Sequence, residues 1–171
     1  MPAQDYNILD VIDRIADDIN NVLHNCGAEN YFASIILLYS FIENLLIWLV
    51  YAKILWDRAE RGLSKKDVVI IRNWCNQLSF HSALHHAFSV RLFDSSLFER
   101  VNKVKEERNR IVHQMWLYEH RDKRHILRKK LEKLARVANE LVSIFNKLAR
   151  KTGADRKYAF FVVRPKRGIL V

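Results

Sequence analysis

Residues 105–113 read Lys-Glu-Glu-Arg-Asn-Arg-Ile-Val-His, and three of them carry groups suited to work on a phosphate: Arg108, Asn109 and His113. The arginine side chain is a planar fork of donors that matches phosphate oxygens and keeps its charge at any working pH. A histidine titrates near neutrality and so can accept and return a proton. Asn109 can hold a phosphate oxygen or orient the histidine. These types together suit phosphodiester chemistry, in which a hydroxyl must lose a proton, charge must be stabilised at phosphorus and a leaving oxygen must be protonated.

Whether they can act together depends on the helix that carries them. The sequence predicts a helix from a capping box at Ser96-Leu-Phe-Glu99 to about Tyr118. At about 100° per residue, with Arg108 at zero, Val101, Val104, Ile111, Val112 and Met115 all fall within about 60° of it. Arg108 thus sits in the middle of an apolar stripe, where a cation needs a partner or a wet pocket. Asn109 and His113, four residues apart, share a face at the stripe's edge. The three can line one side of a groove.

Glu43 is the reverse anomaly, a carboxylate within the nearly uncharged stretch Tyr31–Trp56. Its cheapest partner is a cation from another helix, and Arg108 is the expected one. Taken alone, such a pair has a structural reading, a buried ion pair without chemistry.

The string Arg108-Asn-Arg-Ile-Val-His113, the preceding Lys105-Glu-Glu, and Glu43 in Ser40-Phe-Ile-Glu43-Asn-Leu-Leu together resemble the HEPN superfamily. The likeness covers about residues 5–150 in architecture. It implies an all-α, HEPN-like bundle of about five helices that forms a homodimer, with the Arg and His of both copies meeting in a composite cleft. It also implies a metal-independent endoribonuclease of toxin–antitoxin or phage-defence systems, or a relative that has lost activity and binds RNA or a protein. In the active reading His113 and Arg108 are catalytic, Asn109 assists and Glu43 aims Arg108. The products would be a 2′,3′-cyclic phosphate and a 5′-hydroxyl. A protein antitoxin, a minimal nucleotidyltransferase or another kind, is a possible partner. In toxins paired with such transferases a tyrosine often follows two positions after the histidine; here that residue is Met115, so silencing by its adenylylation is not expected. No cofactor or metal is implied.

The charge supports an anionic partner. The chain carries a formal +10, distributed as −3 over residues 1–100 and +13 over residues 101–171. RNA, DNA or anionic lipid would each suit such a half, as would a merely solvated face. The residues expected to track an RNA backbone are Arg110, Arg121, Lys123, Arg124 and Arg128, within a basic run that extends to Arg136. Trp116 and Tyr118 could stack on unpaired bases, although such residues are more often core or interface. His81 and His85, four apart, read as surface or packing histidines rather than as metal ligands, since no third ligand is assured. Contact with RNA bases is open to them. A DNA-binding helical protein is disfavoured because no helix-turn-helix is convincing. Phosphate loops, nucleophile elbows and zinc-protease motifs are absent from the sequence.

The elements that must position these residues follow from composition. A chain of 171 residues with half its residues apolar can bury a core, and only 4 Gly and 2 Pro argue against a turn-rich β fold. Helical spacing over about 5–26 predicts a first helix, with Gly27 closing it. The apolar stretch Tyr31–Trp56 reads as the central helix of a bundle, ended by Gly62, and not as a membrane span, because Glu43 would lie near the bilayer centre. Ser64 and Asp67 should cap a helix to about residue 78, Phe80–Val90 a short one, and Ile126–Leu148 a last one ended by Gly153. One domain over 1–155 and an extended tail over 156–171 are expected. With two cysteines, no disulfide framework and no visible signal peptide, a cytoplasmic location is expected.

Overall fold

The computed structural model describes Asp17 and residues 31–59, 62, 64–113 and 124–151. Five α-helices account for nearly all of them: α1 (Tyr31–Ala59), α2 (Lys65–Cys75), α3 (Phe80–Ser89), α4 (Ser95–His113) and α5 (Arg124–Lys151), with no strand among the described residues. The protein is an all-α bundle. The expected helix over 5–26, the segment 114–123 and the tail over 156–171 lie outside the described residues, apart from helical, exposed Asp17.

α1 is the central element, and every other helix packs against it. Ile35, Leu38, Ile42, Leu45, Leu46 and Leu49 are fully buried or nearly so. α1 is long and apolar enough to cross a membrane, yet 56% of its most apolar window is buried inside the bundle. A helix that is apolar nearly all round finds the same dry surroundings between other helices. Its chain leaves through Gly62, whose φ of +73° is the left-handed conformation that glycine adopts without a Cβ clash.

α2 opens with the capping box the sequence anticipates. Ser64 Oγ accepts from the Asp67 amide (3.1 Å), and the Asp67 carboxylate accepts from the Ser64 amide (3.0 Å). α2 ends at Cys75, a few residues short of the expected limit, because Asn76 caps it. α3 starts on Ser79, whose hydroxyl accepts from the Ser82 amide. It ends in a Schellman turn: Arg91 N–H donates to Phe88 O and Leu92 N–H to Ala87 O, with Arg91 at φ 56°.

The start of α4 differs from the expected box at Ser96. Asp94 is the cap, its Oδ1 accepting from the Leu97 amide at 2.8 Å. Both residues are cap-forming types, and with Asp94 as cap the first turn of α4 includes buried Leu97, followed by Val101 and Val104 in the core.

α4 and α5 run antiparallel. Arg100 pairs with Glu140 near one end, and Lys130 approaches Glu107 (3.9 Å) near the other. The buried stripe of α5 includes Leu127, Leu131, Leu134, Ala138, Leu141 and Phe145, while Lys129, Lys133 and Arg136 face outward. The core is thus one cluster shared by α1, α3, α4 and α5. A smaller one, Val50, Ile71, Cys75 and Ala87, fastens α2 to the end of α1.

Candidate functional site

Arg108 emerges from α4 within the stripe where helical periodicity puts it, between buried Val101 and Val104 on one side and Ile111 on the other. The residue is half-buried. Its guanidinium lies over the ring of buried Tyr39 on α1, 5.2 Å from the centroid, so the negative face of the aromatic ring supports the cation. Nη1 donates to Asn109 Oδ1 at 3.0 Å. Nε is buried and has no hydrogen-bond partner among the described residues.

The expected ion pair with Glu43 does not form. Glu43 is half-buried one turn beyond Tyr39, and no contact within ion-pair distance joins it to Arg108. The Tyr39 ring, and not the Glu43 carboxylate, is the α1 group that meets the guanidinium. Tyr39 senses both groups: burial pushes its phenol above the ordinary value, the Glu43 carboxylate pushes it further, and Arg108 pulls it back. Arg108 is therefore a half-buried cation held by a ring and an amide, with no carboxylate bonded to it among the described residues.

Asn109 is half-buried, and His113, one turn on, is exposed on the same flank of α4. Because its carbonyl oxygen accepts from Arg108, the amide nitrogen of Asn109 is oriented away as a donor. Arg108 and Asn109 are thus bonded to each other near the C-terminal end of α4, and His113 lies one turn beyond Asn109 with no contact to Arg108 among the described residues. Glu43 stands nearby as a neighbour of Tyr39 rather than of the arginine.

The expected RNA-tracking residues are divided by the structure. Arg110 is exposed on the outer surface of α4. Arg128 is engaged by Glu132 through its Nε at 3.1 Å and so spends its charge within α5. Arg124 opens α5, and Arg121 and Lys123 lie outside the described residues, as do Trp116 and Tyr118.

A basic feature that periodicity alone did not isolate is a groove of about 530 Å³ between α4 and α5. Val104, Leu134 and Val137 floor it, and Arg100, Lys103, Lys133 and Arg136 rim it. Glu140 and Glu107 also line it, but each is met by a cation, Arg100 and Lys130 respectively. Lys103, Lys133 and Arg136 make no ion pair among the described residues. Their pairing across two helices is the signal that a single-helix reading misses. The groove lies on the flank of α4 opposite Asn109 and His113.

Among the described residues no three His, Cys, Asp or Glu side chains converge as a metal site would require. Comparison with family models, curated proteins and solved structures returns no match.

Proposed function

We propose that this protein is a metal-independent endoribonuclease of the HEPN type, acting through Arg108, Asn109 and His113 at a cleft completed by a second copy of the chain. The observation that carries the reading is Arg108 itself. A guanidinium partly withdrawn from water, propped on Tyr39 and Asn109 and with no carboxylate bonded to it among the described residues, is suited to an anion that arrives from outside. A purely structural arginine at this depth would be expected to hold an acid.

In this reading the scissile phosphate sits against Arg108 with Asn109 donating to a second oxygen. His113 of one copy removes the 2′-hydroxyl proton, the 2′-oxygen attacks phosphorus, and the 5′-oxygen leaves with a proton from the histidine of the other copy. The cation–π support keeps the guanidinium in place without neutralising it, so its charge is available as the phosphorane develops. An antitoxin protein would be the natural restraint on such an activity.

A second reading has an observation of its own. The α4–α5 groove is basic without any help from Arg108, and a module that binds RNA without cutting it would need no more than that.

Cleavage of mixed RNA with EDTA present decides between them. Wild type should cut and leave cyclic-phosphate ends, and His113→Ala and Arg108→Ala should each lose activity by roughly a hundredfold or more while keeping their helical circular dichroism. Salt-dependent binding by a clean dimer that never cuts would favour the module, and undiminished cleavage by His113→Ala would defeat the mechanism.

A further inference from the structure

α3 carries an exposed run of rings that the ribonuclease mechanism does not use. His81, His85 and Phe88 recur at four and three residues, so they share the face opposite buried Ala83, Leu84 and Ala87. The rings touch in series. His81 meets His85 edge-on at 4.2 Å, His85 meets Phe98 of α4 at 5.1 Å, and Phe98 meets Phe88 at 5.0 Å. Phe88 keeps 41% of its surface exposed, a high value for a phenylalanine with a core beside it.

The direction of the run matters. Phe80, in the first turn of α3, stacks on Tyr39, whose ring also carries the Arg108 guanidinium. His81 therefore stands at the Arg108 end of the bundle, and the run leads away from there to Phe88 and Phe98. On α4, Phe98, Asn102, Asn109 and His113 are spaced 4, 11 and 15 residues from the first, which places them on one flank. The rings and the proposed catalytic groups thus share a flank, while the basic groove is on the other. Lys105 borders this flank, and exposed Arg91 lies just beyond Phe88.

We propose that His81, His85, Phe88 and Phe98 form a base-stacking strip for the unpaired RNA strand beside the scissile phosphate. The strip extends about 10 Å along α3, room for about three stacked bases. The exposed surfaces of His81, His85 and Phe88 can meet any base through its π face, which gives strand affinity without a sequence code. A duplex hides those base faces, so the strip selects single strands. The inference rests on the ribonuclease reading for the identity of the strand, but the stacking itself does not.

The test uses a fluorescein-labelled 2′-deoxyuridine single strand of about a dozen nucleotides. It lacks the 2′-hydroxyl and stays intact, so binding is read separately from cleavage. In fluorescence anisotropy, His85→Ala and Phe88→Leu should each weaken binding roughly tenfold, while Phe88→Tyr, which keeps a ring, should bind like wild type. A duplex of equal length should bind all four proteins alike. Single-strand binding by Phe88→Leu and His85→Ala at wild-type strength overturns the strip, as does an equal loss for the duplex. A change in self-association with unchanged strand binding overturns it too, by assigning the rings to a protein contact. Both positions are exposed, and melting curves identify any variant that fails to fold, in which case the other carries the test. Ribo-strand cleavage by wild type is followed in parallel: no cutting with the ring-dependent binding intact defeats the ribonuclease reading alone, and cutting with ring-independent binding defeats the strip alone.

Discussion

The guanidinium of Arg108 rests over the ring of Tyr39, 5.2 Å from its centroid. The contact joins α4 to α1 and sets the height at which the arginine leaves the core. A ring stabilises a cation less than an acid does, but it leaves the charge uncompensated. The arrangement therefore trades stability for a cation that can still bind an anion.

Two substitutions separate the ring from the hydroxyl. Tyr39→Phe keeps the cation–π face and should retain cleavage within a fewfold of wild type. Tyr39→Leu removes the support and leaves a gap in the core, and should lower both RNA cleavage and stability, the latter by about 1–3 kcal/mol. Arg108→Lys retains charge but loses the fork, so cleavage should fall by roughly a hundredfold with melting temperature nearly unchanged. Cleavage assays beside thermal melts check all three.

Glu43 offers a direct check on the absent ion pair. If it were bonded to Arg108, Glu43→Gln would strand a partly buried cation at a cost of about 3 kcal/mol or more. With no Glu43–Arg108 bond the cost should stay below about 1 kcal/mol, because among the described residues the two charges are related through Tyr39. Urea denaturation with unchanged slope gives the difference.

Arg91 holds the left-handed position of the α3 Schellman turn at φ 56°. A side chain there carries a Cβ penalty that glycine escapes. Arg91→Gly should therefore stabilise the protein by up to about 1 kcal/mol, seen as a higher denaturation midpoint.

Alkaline pH should weaken the fold. Cys75, nearly fully buried between α1 and α2, has its thiol pushed up to about 11 by burial, from an ordinary 9.0. Burial also raises Tyr39 and Tyr51 above 10.0. A group whose folded value is raised binds more protons in the folded state than in the unfolded one, so stability is complete below pH 9 and declines as pH climbs toward 11. Denaturation midpoints measured across that window should fall, and Cys75→Val should flatten the earlier part of the decline.

Local chemistry made much of this molecule readable in advance. The apolar span around Leu38–Leu49 has no stable place except a core, the Ser64–Asp67 pair is a cap wherever it occurs ahead of a helix, and the 3.6-residue repeat put Arg108 among Val101, Val104 and Ile111 with Asn109 and His113 at the edge. Those are properties of one helix and its turns, which neighbouring residues settle by themselves. The choice of Asp94 over Ser96 as a cap was not of that kind, because two competent oxygens stood two residues apart and sequence pattern suited both, while in the structure it is Asp94 that accepts from the Leu97 amide. Nor was the partner of Arg108. A cation in an apolar stripe announces a need but not its answer, and because Tyr39 and Glu43 share one face of α1 a turn apart, which of them meets it depends on the axial register of α1 against α4. The basic groove and the ring strip belong to the same class: each is assembled from two helices, and only their packing places Lys103 beside Lys133, or Phe98 against His85 and Phe88.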